Sequence, residues 1–225
     1  MRGDAVILTP SGDVSPWLLA GAAVLGLALS PLVELLIART MPRLGAVPAL
    51  PVRITTAAVT AVACAAFAFR FGNASELPAF LLLGILGAQL ARLDLTQHLL
   101  PNPLVLALLA VGALLLVLAW AGNGNGGAVL RSLLGAAILF VAYLILALIS
   151  PSGLGMGDVK LAGPLGLYMG YLGWNQLLYG GLIGFILNGV FTLLLVSIKR
   201  RSKGTEVAHG PAMLAATALV TLLPF

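Results

Sequence analysis

Seven residues of this 225-residue chain are acidic, and their company sorts them. Asp4, Asp13, Glu76 and Glu206 sit at termini or loops and read as solvated charges. Glu34, Asp94 and Asp158 lie against apolar runs. Asp94 closes the stretch Ala91-Arg92-Leu93-Asp94, and Asp158 follows the glycine-rich turn Ser152-Gly153-Leu154-Gly155-Met156-Gly157. An ionised carboxylate at mid-membrane costs roughly 2.5–3.5 kcal/mol, so bundles keep such groups inside, usually for a task. Two carboxylates at one depth, from different helices, suit acid/base work. Held close they share one proton. The ionised member can then take a proton from a water that attacks a peptide carbonyl, and the protonated member can donate to the carbonyl oxygen. A lone cysteine, Cys64, and two histidines supply neither a paired-cysteine metal site nor a well-furnished thiol or zinc hydrolase.

The elements that must carry these groups are read from composition. The chain is 60% hydrophobic and 8% charged, with a mean hydropathy of +1.10. A soluble domain needs roughly a quarter of its residues charged. This chain has too few to cover itself, which predicts an all-α, polytopic membrane bundle of about eight crossings, with the bilayer as a partner. Apolar runs place helices at about 16–38, 52–70, 78–93, 102–121, 128–149, 159–171, 175–198 and 207–224, the sixth being short for a full crossing. No soluble domain or long linker interrupts them, so residues 1–225 read as one membrane-embedded unit. Residues 1–14 carry Arg2, Asp4 and Asp13 around a four-residue apolar patch, so no cleaved signal peptide is expected.

The net charge of +5 is spread between apolar runs, which argues topology and not nucleic acid. Arg39, Arg43, Arg53, Arg92, Lys160, Lys199, Arg200, Arg201 and Lys203 fall on one side of an eight-crossing topology. Arg2, Arg70 and Arg131 fall on the other. The first side is therefore expected to be cytoplasmic, and it holds both Asp94 and Asp158. Gly155 and Gly157 could let an extended strand lie beside Asp158. Equally, the turn could be a plain loop with Asp158 as a helix N-cap.

Gly155-Met156-Gly157-Asp158-Val159-Lys160 resembles the Gly-x-Gly-Asp-x-Lys signature of type IV prepilin peptidases, a branch of the GxGD aspartyl proteases. Asp94 through Pro101-Asn102 resembles the family's first-aspartate segment, with Pro seven residues after Asp. Leu36 through Pro42 resembles the exit of its first helix. The resemblance implies that Asp94 and Asp158 are the catalytic pair. It implies cleavage at the cytoplasmic face of the cell membrane, just before the apolar helix of a pilin-like precursor, with no cofactor. Two departures stand out. Residues 39–52 hold no cysteine where many members carry paired Cys-x-x-Cys motifs tied to N-methylation, so a peptidase without that part is expected. The family's Pro-Phe-Gly-Pro is here Ala208-His209-Gly210-Pro211.

Lesser residues have plain readings beside functional ones. Glu34 faces a polar interior or contacts a cationic group on the substrate. Lys160 holds the turn, neutralises charge or anchors the membrane side. Pro101 shapes the turn after Asp94. His98 reads as an interface residue, and neither histidine is expected to be required. Two rival functions remain: another GxGD protease of the presenilin or signal-peptide-peptidase kind, or a non-enzymatic secretion or transport component. The first would normally show an aromatic residue before its first aspartate, where Leu93 stands. The second leaves the shared depth of the two aspartates without a reason.

Overall fold

The computed structural model describes residues 14–42, 47–123, 126–149, 154–199 and 208–223, which form eight helices and no strand. These are α1 (Pro16–Thr40), α2 (Leu50–Phe71), α3 (Leu77–Gln97), α4 (Asn102–Asn123), α5 (Gly126–Ile149), α6 (Met156–Leu172), α7 (Trp174–Lys199) and α8 (Gly210–Leu222). Proline opens α1, α2, α3 and α8, where the missing N–H would have had no helical partner. Ser15 Oγ accepts the Leu18 N–H at 3.1 Å and caps α1.

Helices α1 to α5 are each long and apolar enough to cross a membrane. Their outward faces are unpolarised hydrocarbon: Val24, Leu32, Leu106, Leu118, Leu130 and Ile145 are all exposed. Such a surface is covered only by lipid. The chain is a polytopic membrane helix bundle.

The sixth helix has 17 residues, about 26 Å at 1.5 Å per residue, against a hydrocarbon core of about 30 Å. It is bounded by Gly155 and Gly173 and runs through the interior of the bundle. From Asp158 to Tyr171 every residue but Lys160 is buried. It lies backbone to backbone on α5: a Cβ on Gly170 would come 2.7 Å from the Arg131 carbonyl oxygen and 3.1 Å from Gly135 Cα. At its C-terminal end, α6 has two of its last carbonyls satisfied by a side chain. Arg131 Nε donates to Gly170 O at 2.8 Å, and its terminal nitrogen to Tyr171 O at 2.7 Å. Ser132 Oγ donates to Leu167 O at 2.7 Å.

Side-chain bridges show which helix ends share a level. Arg53–Glu34, Lys160–Asn102 and Gly210–Asp94 join the C-terminal ends of α1 and α3 to the N-terminal ends of α2, α4, α6 and α8. At the opposite end, Tyr171 Oη donates to Glu76 Oε1 at 3.3 Å. The described cations follow the same division, with Arg39, Arg53, Arg92, Lys160 and Lys199, the last residue of α7, at the first end and Arg70 and Arg131 at the second. Arg2, Arg43, Arg200, Arg201, Lys203, Glu206 and the turn at 151–153 lie outside the described residues.

Candidate active site

Asp94 stands in the last turn of α3, which runs one turn beyond the point where its apolar pattern stops. The helix ends at His98, whose φ of 52° and ψ of 40° put it in the left-handed region, with its N–H on Asp94 O at 3.0 Å. That cap leaves the Asp94 side chain turned into the bundle, 6% exposed. Its Oδ2 accepts the backbone N–H of Gly210 at 3.0 Å. Gly210 is the first residue of α8, so an otherwise unpaired helix-start amide is satisfied by this carboxyl group.

Asp158 stands in the first turn of α6, 8% exposed. The cap residue is Gly155, in extended backbone at φ −74° and ψ 147°. Asp158 Oδ2 accepts the Gly155 N–H at 3.3 Å, and its own N–H donates to Gly155 O at 3.0 Å. The plain reading of Asp158 as a capping residue is thus met in altered form: the carboxyl reaches back to the cap from the third helical position.

Asp94, on α3, lies close enough to Asp158, on α6, for its charge to be felt there. Leu100 lies against both Gly157, the neighbour of Asp158, and Gly210, the partner of Asp94. A Cβ on Gly157 would come 3.3 Å from the Leu100 side chain, and one on Gly210 would come 3.5 Å from Leu100 Cδ1. Pro101 fixes that leucine: its carbonyl accepts the N–H groups of Leu104 and Val105 at 3.1 Å each and starts α4. Lys160 Nζ donates to Asn102 Oδ1 at 3.0 Å and ties α6 to the same turn. Both residues stand on an apolar groove of about 630 Å³ that runs between α4, α5 and α6 past Val105, Leu109, Ala137 and Phe140.

Glu34 belongs to a different cluster. It is 1% exposed, and its Oε2 takes Arg53 Nε at 3.1 Å while Oε1 has no hydrogen-bond partner among the described residues. Arg92 lies within range of its charge, and Arg92 Nε donates to Gln89 Oε1 at 3.1 Å. Gln89 in turn reaches Ser30 at 3.1 Å. These residues tie α1 and α2 to α3, as expected of a polar interior.

Two residues at the site escaped the sequence reading as contributors. Tyr143 of α5, 2% exposed, lies within range of the Asp158 charge, and its hydroxyl meets His209 Nε2 at 3.3 Å. Gly210 contributes only a main-chain amide, and the retained Gly-Pro pair was its sole signal.

Residues 79–193 match the type IV leader peptidase family. The chain belongs to that family. The matched span holds both aspartates, the glycine turn and Tyr143, while Glu34 and the His209-Gly210 pair lie outside it. Two curated relatives from Aeromonas salmonicida, one of them from strain A449, are named prepilin leader peptidase/N-methyltransferase. Each is 32% identical over 136 residues, 60% of this chain and 45% of the relative. The chain therefore aligns with less than half the length of these leader peptidases. No solved structure gives a significant match.

Proposed function

We propose that this chain is a membrane aspartyl endopeptidase that removes the leader of pilin-like precursors, working with Asp94, Asp158 and a water. The observation that carries the reading is that these two carboxyls, from separate helices, are both buried, with Asp158 in reach of the Asp94 charge. Two carboxyls that feel each other's charge hold one proton between them. The ionised member takes a proton from the water as it attacks the scissile carbonyl. The protonated member donates to the carbonyl oxygen, and a proton then passes to the leaving amine. The Gly210 amide steadies Asp94 and the Gly155 amide steadies Asp158, so each carboxyl has one oxygen held by backbone.

The substrate assignment rests on the family and on the relatives' names. Lys160 and Asn102 join α6 to α4 beside the pair, and Gly155, Gly157 and Pro101 shape the turns that present it. Cleavage takes place at the cytoplasmic face of the cell membrane, the side to which the excess of Lys and Arg assigns this end of the bundle. The reaction stops at hydrolysis: residues 39–52 contain no cysteine, unlike the insert that family members with methyltransferase activity carry.

Purified protein in proteoliposomes, given a pilin-type precursor, tests the reading. The expected product is a shortened chain whose new amino terminus, identified by mass spectrometry, immediately precedes the apolar segment and is unmethylated. An intact precursor after long incubation with well-folded protein would count against a peptidase and favour a membrane component without enzymatic activity.

A further inference from the structure

Asp94 and Asp158 belong to helices that must be held at a working distance, and the dipeptide His209-Gly210 touches the supports of both. Gly210 holds Asp94 through its amide at 3.0 Å. His209, the residue before it, is 4% exposed, and its ring sits 5.8 Å from the Tyr143 ring and 5.4 Å from that of Phe185. Tyr143 and Phe185 stack on each other at 5.1 Å. The His209 Nε2 meets the Tyr143 hydroxyl at 3.3 Å. Tyr143 is rooted in α5, the helix that lies backbone to backbone on α6, and it is within range of the Asp158 charge. The start of α8 has no side-chain cap of its own to fix it.

We propose that His209 is a positioning residue of the aspartate site: its ring, hydrogen-bonded to Tyr143, locks the first residue of α8 to α5 and so holds the Gly210 amide, and Asp94 with it, in register with Asp158. The proposal rests on the aspartyl-peptidase reading. A buried phenol hydroxyl needs a partner, and a phenylalanine at 209 would fill the seat but leave Tyr143 unpaired. This chain therefore uses a hydrogen-bonded pair where the family pattern has an apolar ring. The His209 Nδ1 is buried with no hydrogen-bond partner among the described residues, so the imidazole can serve Tyr143 as either donor or acceptor.

The test is a double-mutant cycle on the full chain in proteoliposomes, reading kcat and KM for precursor cleavage in Tyr143→Phe, His209→Phe and the double variant. Loss of one buried hydrogen bond should lower kcat about tenfold in Tyr143→Phe and about fivefold in His209→Phe, with KM within about twofold. The double variant should match Tyr143→Phe alone, because both single changes delete the same contact. A purely space-filling role predicts wild-type kcat in His209→Phe. That result, a loss confined to KM, or single losses that multiply in the double variant would each overturn the proposal. Should His209→Phe fail to accumulate, Tyr143→Phe still decides, since it removes one oxygen from an intact core and a wild-type kcat there refutes the pairing. Asp94→Asn and Asp158→Asn run alongside: if they cleave normally, the peptidase mechanism has failed, and if they are inactive while His209→Phe is normal, only this inference has.

Discussion

Substituting Gly210 by alanine adds one methyl group beside the Asp94 carboxyl and nothing else. A Cβ there would stand 2.7 Å from Asp94 Oδ2 and 3.3 Å from Cγ. Ordinary contact begins near 3.4 Å, so the oxygen must retreat by about 0.7 Å, the difference between 3.4 Å and 2.7 Å. The backbone offers no obstacle: Gly210 is not among the residues of positive φ, and alanine is the better helix former by about 1 kcal/mol. The displaced atom is the end of a flexible side chain, so the fold should survive. Catalysis should not, because a misplacement of about 1 Å costs on the order of a hundredfold. The expected result for Gly210→Ala is a kcat lower by about ten- to a hundredfold, with expression and thermal unfolding close to wild type. Cleavage of a precursor in proteoliposomes, with a melting curve on the same sample, reads both. A well-folded Gly210→Ala protein that cleaves at the wild-type rate would refute the claim that the Gly210–Asp94 contact belongs to the working geometry.

Other expectations are simpler. Gly170→Leu drives a side chain into Arg131 O and Gly135, so it should part α5 from α6 and destabilise the bundle by about 1–3 kcal/mol or more, read by detergent unfolding. Cys64→Ala removes only a fully buried thiol and should cleave near the wild-type rate, which makes it a background for topology mapping. In that background a cysteine at Gln97 should react with an impermeant thiol reagent from the cytoplasmic side only, and one at Asn73 from the other; the reverse pattern contradicts the assigned orientation. Glu34→Ala leaves Arg92 buried beside a missing counter-charge and should cost on the order of 3 kcal/mol of stability, while the protein that does fold keeps its kcat.

What could be read from the chain and what could not divide along physical lines. Long apolar runs state their own length, so α1, α2, α4 and α5 were legible to within a few residues. The end of α3 was not: the pattern stops at a charged residue, yet Asp94 is buried and the helix continues to Gln97 because His98 supplies a left-handed cap. The short sixth helix was visible as short, but its central place was not, since glycines at 135, 166 and 170 record close approach only once the partner helix is known. The aspartates were legible by type and context. Their supports were not, because Gly210 acts through a main-chain amide 116 residues from Asp94, and His209 and Tyr143 are neutral groups 66 residues apart. Glu34 stood out as a charge in an apolar run, and its ties to Arg53 and Arg92 account for it without the chemistry.

The cleavage rates of Asp94→Asn, Asp158→Asn and the double variant decide whether the two carboxyls act as one unit. Each single change is nearly isosteric and leaves its partner unable to serve as base and acid in the same step, so each should lower cleavage by at least about a hundredfold. The double variant should be scarcely worse than either, as expected of groups that work together. A well-expressed Asp158→Asn protein that processes precursor at the wild-type rate would contradict the account.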